Sequence, residues 1–328
     1  MRAPSVHESR AGTNAVLTNL ALGYKPQEAG YIGLKIAPPV AVDEYGGRIL
    51  QFDDANFEEV DDSRADGGEY REISRGYEGL PFTVDFHGLR YRVPEKRFEQ
   101  SLKRGVNWAD LAVKDLASRS ALAVEKQIAN LVLNPDNYPA NNKEIITAGS
   151  YWGGAGTDSI DPYEVILETR RHIVTQIGCD PNTLVLGREV FDKMVTNQAI
   201  LEHYKHTNSD SITQQILARR FGVDQIIVGS SISKQTKNSE KGFIWGNFAL
   251  LCYVNRNTLN GSLGLNAASG ISREEPSCFY TYTYRDHPTI SNRWYHEETS
   301  SWNWKIDFDR TPVACMTQGA FLFINPVL

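Results

Sequence analysis

The sequence predicts an α+β fold built around one long helix and several β-strands. Apolar residues recur at three- and four-residue spacing from about Trp108 to Leu133, which is typical of a buried amphipathic helix. Apolar and polar residues alternate from Trp302 to Asp309, which is typical of a half-buried strand. Between these segments short strand-like and helix-like runs follow each other, which indicates a compact α/β or α+β insert.

The composition is that of a globular chain and argues against several functional classes. The 328 residues allow one large domain or two modest ones. The net charge of -6 disfavours tight, sequence-independent DNA binding. No apolar run approaches the ~20 residues of a membrane span, and no secretory signal is visible, so we expect cytoplasmic synthesis.

Residues 1 to about 45 contain several prolines and glycines and only short apolar runs. This pattern predicts an arm that is ordered by its neighbours. An acidic segment follows, with flanks that can pair as strands, so we expect a long hairpin-like loop. Its acidic residues are Asp53, Asp54, Glu58, Glu59, Asp61 and Asp62. After it, the alternation of apolar residues changes phase near Gly88, which predicts a β-bulge there.

Two helices have clear boundaries in the sequence. The long helix has Asn107 as a plausible N-cap and stops before Pro135, with Glu125 mainly outside its apolar stripe. At 1.5 Å per residue it is roughly 39 Å long. The second helix is capped by Asp161, begins at Pro162 and ends at Gly178. Its buried stripe is expected to consist of Ile166, Ile173 and Ile177.

No motif in the chain carries specific enzymatic or metal chemistry. The four cysteines have no CxxC spacing and are expected to be free, buried thiols. His203 and His206 lack the HExxH order of a zinc site, and the glycine-rich run at 153–157 lacks the lysine of a P-loop. We therefore predict no catalytic, cofactor-binding or metal-binding residues. Aromatic residues between 280 and 304 are expected to pack strands rather than bind a ligand.

Four local sequences and their order resemble the major capsid proteins of tailed bacteriophages, which have the Hong Kong 97 fold. They are Gly46-Gly47-Arg48-Ile49, residues 180–187, residues 220–229 and Ile244-Trp245-Gly246. With the long helix between the first two and the β-rich segment after the last, the resemblance covers essentially the whole chain.

The resemblance implies a division of the chain into five segments. These are an N-terminal arm at 1–45, an extended β-hairpin loop at 46–80, a first peripheral-domain part at 81–180, an axial domain at 181–275 and a second peripheral-domain part at 276–328. The long helix, at about 108–133, would be the spine of the peripheral domain.

The resemblance also implies a function, which is self-assembly into hexamers and pentamers of an icosahedral head that encloses double-stranded DNA. Such a protein is located in the virion, is not an enzyme and needs no cofactor. Its partners would be its own copies, with separate scaffolding, portal and decoration proteins as further candidates. Some family members crosslink their shells through a loop lysine, but no lysine lies between Lys35 and Lys96, so no such crosslink is expected.

The acidic loop supplies a hypothesis for inter-subunit contacts. We expect its carboxylates to meet basic residues of a neighbouring subunit, although a solvated acidic surface is an equal alternative. The basic candidates are Lys103, Arg104, Arg170 and Arg171.

Two other functions remain open from the sequence. The first is an encapsulin-like nanocompartment shell, which shares the fold but holds cargo protein. The second is a soluble α+β hydrolase with an unrecognised site, which would form a small oligomer with turnover.

Overall fold

The computed structural model describes residues 30–50, 59, 63–64, 79–103, 108–147, 149–153, 160–204, 213–234, 236, 238–255 and 277–327. The helices in these ranges are α1 (Gly33–Ile36), α2 (Glu95–Lys103), α3 (Trp108–Val132), α4 (Pro162–Ile177), α5 (Arg188–Val195), α6 (Gln198–Tyr204) and α7 (Gln214–Phe221). The first eight strands are β1 (Pro39–Val42), β2 (Gly46–Leu50), β3 (Gly79–Thr83), β4 (Gly88–Pro94), β5 (Lys143–Ile145), β6 (Thr183–Gly187), β7 (Gln225–Gly229) and β8 (Ile232–Lys234). The others are β9 (Lys241–Phe243), β10 (Phe248–Cys252), β11 (Phe279–Tyr284), β12 (Thr289–Ile290), β13 (Trp294–His296), β14 (Ser301–Asp307), β15 (Arg310–Ala314) and β16 (Ala320–Ile324).

The largest sheet has five strands in the order β5-β16-β10-β6-β7. Two of its three inner strands, β6 and β10, are buried along their whole length, which explains why both are largely continuous apolar runs. Helix α4 packs against this sheet through Ile166, Ile173 and Ile177, as the sequence predicts. The mixture of helices and strands that the sequence predicts is therefore confirmed.

Helix α4 also has the predicted ends. The side chain of Asp161 accepts a hydrogen bond from the amide of Tyr163 at 3.1 Å, and Pro162 occupies the first turn. Gly178 ends the helix in the left-handed conformation, with φ of 71°.

The long helix is α3, and at 25 residues it spans roughly 38 Å. We call it the spine helix. It contacts β4, β14 and β15, and its first turns pack with Trp304 and Ile306 of β14 in a second core cluster. The strand predicted around Trp302 and Trp304 is therefore confirmed as β14.

Strand β14 pairs with β4 along seven residues, from Ser301 opposite Pro94 to Asp307 opposite Gly88. Strand β3 instead pairs with β2. The phase change near Gly88 is therefore not a bulge, and that prediction is wrong. The chain leaves one sheet after Thr83 and joins another at Gly88, so each strand buries its own set of alternate residues.

The segment at 30–42 packs within the subunit, although it belongs to the range predicted as an arm. Ile32 and Ile36 are buried in the main core, and β1 pairs in parallel with β11 from Pro39 opposite Thr281. Residues 1–29 lie outside the described residues. No helix in the described part of the chain is long and apolar enough to cross a membrane.

Candidate inter-subunit contact surfaces

Two paired strands flank the acidic segment of the sequence. Strands β2 and β3 pair antiparallel from Gly46 opposite Thr83 to Leu50 opposite Gly79, so the residues on either side of the acidic segment lie next to each other. Glu59 lies among the described residues and is exposed. The other predicted acidic contacts lie outside them, namely Asp53, Asp54, Glu58, Asp61 and Asp62.

The four predicted basic contacts differ in what the structure shows of them. Lys103 is the last residue of α2, its side chain is not among the described features, and Arg104 lies outside the described residues. Arg170 is engaged inside the subunit, since its Nη2 donates to Oδ1 of Asp180 at 3.0 Å and its Nη1 to the carbonyl of Phe221 at 3.3 Å. Arg170 therefore holds α4 against the end of α7.

Arg171, the next residue on α4, has a different environment. Its side chain is exposed, and it forms no ion pair with any described residue. Of the four basic candidates, Arg171 is the one whose side chain the structure shows to be exposed and without an ion pair to a described residue.

Glu125 of the spine helix joins three parts of the chain that are distant in sequence. Its side chain is buried, with 2% exposure, and accepts four hydrogen bonds. The donors are the amides of Ile32 at 2.9 Å and Gly33 at 2.7 Å, the hydroxyl of Ser231 at 3.1 Å and the indole Nε1 of Trp245. The helical periodicity predicts Glu125 outside the buried stripe, and that prediction is wrong: the four donors compensate the cost of burying the carboxylate.

Three of the local sequences that carry the family resemblance meet in space. Gly187 and Gly229 lie opposite each other in the parallel pair β6–β7. A Cβ atom on Gly187 would lie 1.9 Å from the carbonyl oxygen of Gly246, and one on Gly229 would lie 2.5 Å from Cγ of Trp245. The segment Ile244–Gly246 thus crosses the ends of both strands too closely for side chains there.

The four cysteines are free thiols, as expected, but they are not all buried. Cys179 is exposed, which corrects the expectation, because it follows the C-terminal glycine of α4 on the surface. Burial raises the pKa of Cys278 to about 12 and that of Cys315 to about 11, while the pKa of Cys252 is raised well above its usual range by burial. The three non-exposed thiols are therefore protonated near neutral pH.

No group of three or more His, Cys, Asp or Glu side chains within the described ranges is arranged to hold a metal ion. Of the weak motifs in the sequence, His206 and residues 154–157 lie outside the described residues.

The chain is similar to proteins of phage heads, although no protein-family model matches it. The major capsid protein of Burkholderia phage BcepMu is 28% identical over 279 residues, which are 85% of each chain. The crystal structure of a phage-related protein from Bordetella bronchiseptica RB50 gives a TM-score of 0.77 at 26% identity, covering 96% of this chain and 98% of the other.

A third similarity is to the capsid of cyanophage P-SCSP1u, with a TM-score of 0.54 at 7% identity and coverage of 88% of this chain and 86% of the other. At that identity the likeness concerns the fold alone. Together, the comparisons confirm the resemblance to phage major capsid proteins that the local sequences indicate.

Proposed function

We infer that this chain is a phage major capsid protein, whose function is to associate with its own copies into the shell of a phage head. The observation that carries this inference is the 28% identity to a major capsid protein over 85% of both chains. A shared mixed helix-and-sheet fold over nearly the full length supports it. A relative of this kind is a structural protein, so we propose that the chain has no enzymatic activity.

The finer organisation of the shell is part of the proposal. We propose that the chain forms hexamers and pentamers, and that the closed icosahedral shell encloses double-stranded DNA without reading its sequence. The net charge of -6 supports this, because an acidic wall does not hold the phosphates of packaged DNA. In this proposal the mature subunit resides in the virion after synthesis in the host cytoplasm, and separate scaffolding, portal and decoration proteins assist it.

The five segments inferred from the family resemblance also remain proposals. The pairing of β2 with β3 supports an extended loop that begins near residue 46 and returns near residue 80. Lateral extensions of this kind add contact area between neighbours without thickening the core of each subunit.

We propose that the acidic loop contacts basic residues of a neighbouring subunit. Arg171 is the strongest of the four basic candidates because its charge is exposed and uncommitted, whereas Arg170 is paired with Asp180. Lys103 and Arg104 remain candidates on the basis of their charge alone.

The test is to express the full chain and examine it by negative-stain electron microscopy and sedimentation velocity. We expect closed shells or capsomers of hundreds of kilodaltons, against 36.8 kDa for one chain. A uniform monomer or dimer that is unchanged by a co-expressed scaffolding protein would contradict the proposal. The contents of native particles separate the alternatives, since DNA indicates a phage head and an enzyme cargo indicates an encapsulin-like compartment.

A further inference from the structure

A notch lies at the root of the loop stem, where the β2–β3 hairpin joins the body of the subunit. Its cavity has a volume of about 340 Å³. We call it the stem notch, and its principal lining residues are Tyr45, Phe86, His87, His287, Asp307 and Asp309. Aromatic rings and carboxylates therefore face the same space.

One wall of the stem notch is a row of aromatic rings, and the outermost ring, that of Phe86, is exposed to solvent. The ring of Tyr45 stacks on Tyr284 with centroids 4.2 Å apart and an angle of 9° between the rings. The ring of Phe86 leans against Tyr45 at 5.0 Å, and Phe86 is 77% exposed. It is the most exposed of the large apolar side chains that the structure describes. Phe86 therefore presents an aromatic face to any group that approaches the cavity.

The floor of the stem notch carries the carboxylate of Asp309, whose side chain is 9% exposed. Its Oδ1 accepts the amide N–H of His87 at 3.0 Å, and its Oδ2 accepts the hydroxyl of Tyr45 at 3.3 Å. Burial and then the charge of Asp309 raise the pKa of Tyr45, so this hydroxyl keeps its proton.

The carboxylate of Asp309 has no hydrogen-bonded cation among the described residues. The neighbouring guanidinium of Arg310 interacts with it electrostatically, but Arg310 donates its Nε to Gln127 and its Nη1 to the carbonyl of Phe308, each at 2.9 Å. Nδ1 of His287 is 3.8 Å from Oδ2 of Asp309, but this nitrogen accepts the amide N–H of Asp309 at 2.9 Å. Nδ1 therefore carries no proton to share with the carboxylate. At the rim, Asp307 is paired with Lys305 at 2.8 Å, so Asp309 supplies the carboxylate of the notch that lacks a hydrogen-bonded cation among the described residues.

We propose that the stem notch receives an arginine side chain from a second copy of this chain. A guanidinium is planar, stacks on aromatic faces and pairs with carboxylates. In the notch, Phe86 supplies the aromatic face and Asp309 supplies the carboxylate. This inference rests on the proposed function, because a shell brings many copies into lateral contact. The chain has a supply of suitable groups, since Arg90, Arg92 and Arg171 are exposed and form no ion pair with described residues.

The first test places the photo-crosslinking amino acid p-benzoylphenylalanine at position 86 of the full chain. Irradiation of assembled shells is expected to give covalent dimers of this chain, while irradiation of dissociated subunits at the same dose gives monomers. Shells that yield only monomers, or that crosslink position 86 to a different protein, would overturn the inference. If the unmodified chain forms no shells, the proposed function fails as well. If shells form but position 86 gives no dimers of this chain, only the present inference fails, so the two failures are distinguishable.

The second test separates a guanidinium from an apolar occupant. Phe86→Leu keeps an apolar side chain but removes the ring, whereas Phe86→Trp keeps an aromatic face. We expect the leucine variant to raise the critical concentration for shell assembly by about tenfold or more, and the tryptophan variant to stay near wild type. Because Phe86 is mostly exposed, both variants should unfold at the wild-type temperature as dissociated subunits. Equal assembly of the leucine variant and wild type would overturn the inference.

Discussion

The carboxylate of Glu125 lies 2.7 Å from the amide nitrogen of Gly33, which is 92 residues earlier in the chain. The same carboxylate accepts hydrogen bonds from the amide of Ile32 and from the side chains of Ser231 and Trp245. One side chain of the spine helix therefore fixes both the first turn of α1 and the segment before β10. A carboxylate has enough acceptor positions for all four donors, which an amide does not.

Replacing Glu125 should remove these hydrogen bonds and destabilise the folded chain. We expect Glu125→Ala to lower the free energy of unfolding by about 3–5 kcal/mol, because four buried donors lose their acceptor. Glu125→Gln should cost less, about 2 kcal/mol, since one amide oxygen remains. Urea unfolding of dissociated subunits measures both. The matched control is Glu168→Gln on the exposed side of α4, which should change stability by less than about 0.5 kcal/mol. Equal effects at positions 125 and 168 would contradict this role of Glu125.

The close crossing of Ile244–Gly246 over β6 gives a steric prediction. Gly187→Ala should destabilise the subunit by about 3 kcal/mol or more, because its Cβ atom would lie 1.9 Å from a backbone oxygen that cannot move aside easily. Gly246→Ala is the control, since a Cβ atom there would meet nothing within 4 Å. Thermal unfolding of both variants measures the difference, and similar melting temperatures would contradict a close crossing at Gly187.

The thiols should differ in reactivity according to their burial. At pH 8 in the native state, we expect iodoacetamide to modify Cys179 first, because it is exposed. Cys252 and Cys278 should react only after unfolding, since both are buried and their pKa values are raised. Mass spectrometry of the labelled peptides identifies the sites. Rapid native labelling of Cys278 would contradict this environment.

Alkaline pH should destabilise the subunit through the same thiols. The pKa values of Cys278 and Cys315 are about 12 and about 11 in the folded chain, above the ordinary value of 9.0. Their contribution to stability is therefore fully present below pH 9 and is lost as the pH rises towards 11–12, because the unfolded chain releases these protons first. A variant with Cys278→Ala and Cys315→Ala should show a flatter decline in the free energy of unfolding between pH 8 and 11. Parallel declines in variant and wild type would exclude these thiols as the cause.

The proposed contact between the acidic loop and Arg171 can be tested by charge reversal. Glu58→Lys with Glu59→Lys should impair shell assembly and alter its salt dependence, and Arg171→Glu should impair assembly as well. If the groups meet, combining the three substitutions should restore part of the assembly, which is the coupling that a double-mutant cycle measures. If the loop substitutions leave assembly and its salt dependence unchanged, the acidic loop is a solvated surface and not an inter-subunit contact.

Local signals in the sequence account for the elements that were predicted correctly. The ends of α4 are encoded by Asp161, Pro162 and Gly178, which act on their own neighbours. The alternation around Trp304 reports a strand directly, because one face of β14 packs against the spine helix. Such signals need no knowledge of the rest of the chain.

Features that depend on distant partners could not be predicted in this way. Glu125 looks like a surface residue because nothing near it in sequence shows that Trp245, 120 residues later, donates to it. The phase change between Phe82 and Val93 looks like a bulge because the sequence does not show that β3 and β4 pair with different strands. The stem notch was missed for the same reason, since Tyr45, Phe86 and Asp309 meet only in the folded chain.

Three strands from the first half of the chain find their partners in the last fifty residues or so. Strand β1 pairs with β11, β4 pairs with β14, and β5 pairs with β16. A polypeptide that stops before about residue 279 therefore lacks a partner for each of them, and its core cannot close. We expect truncated translation products to be unfolded and degraded by proteases, so the proposed shell would be protected against incorporating incomplete subunits.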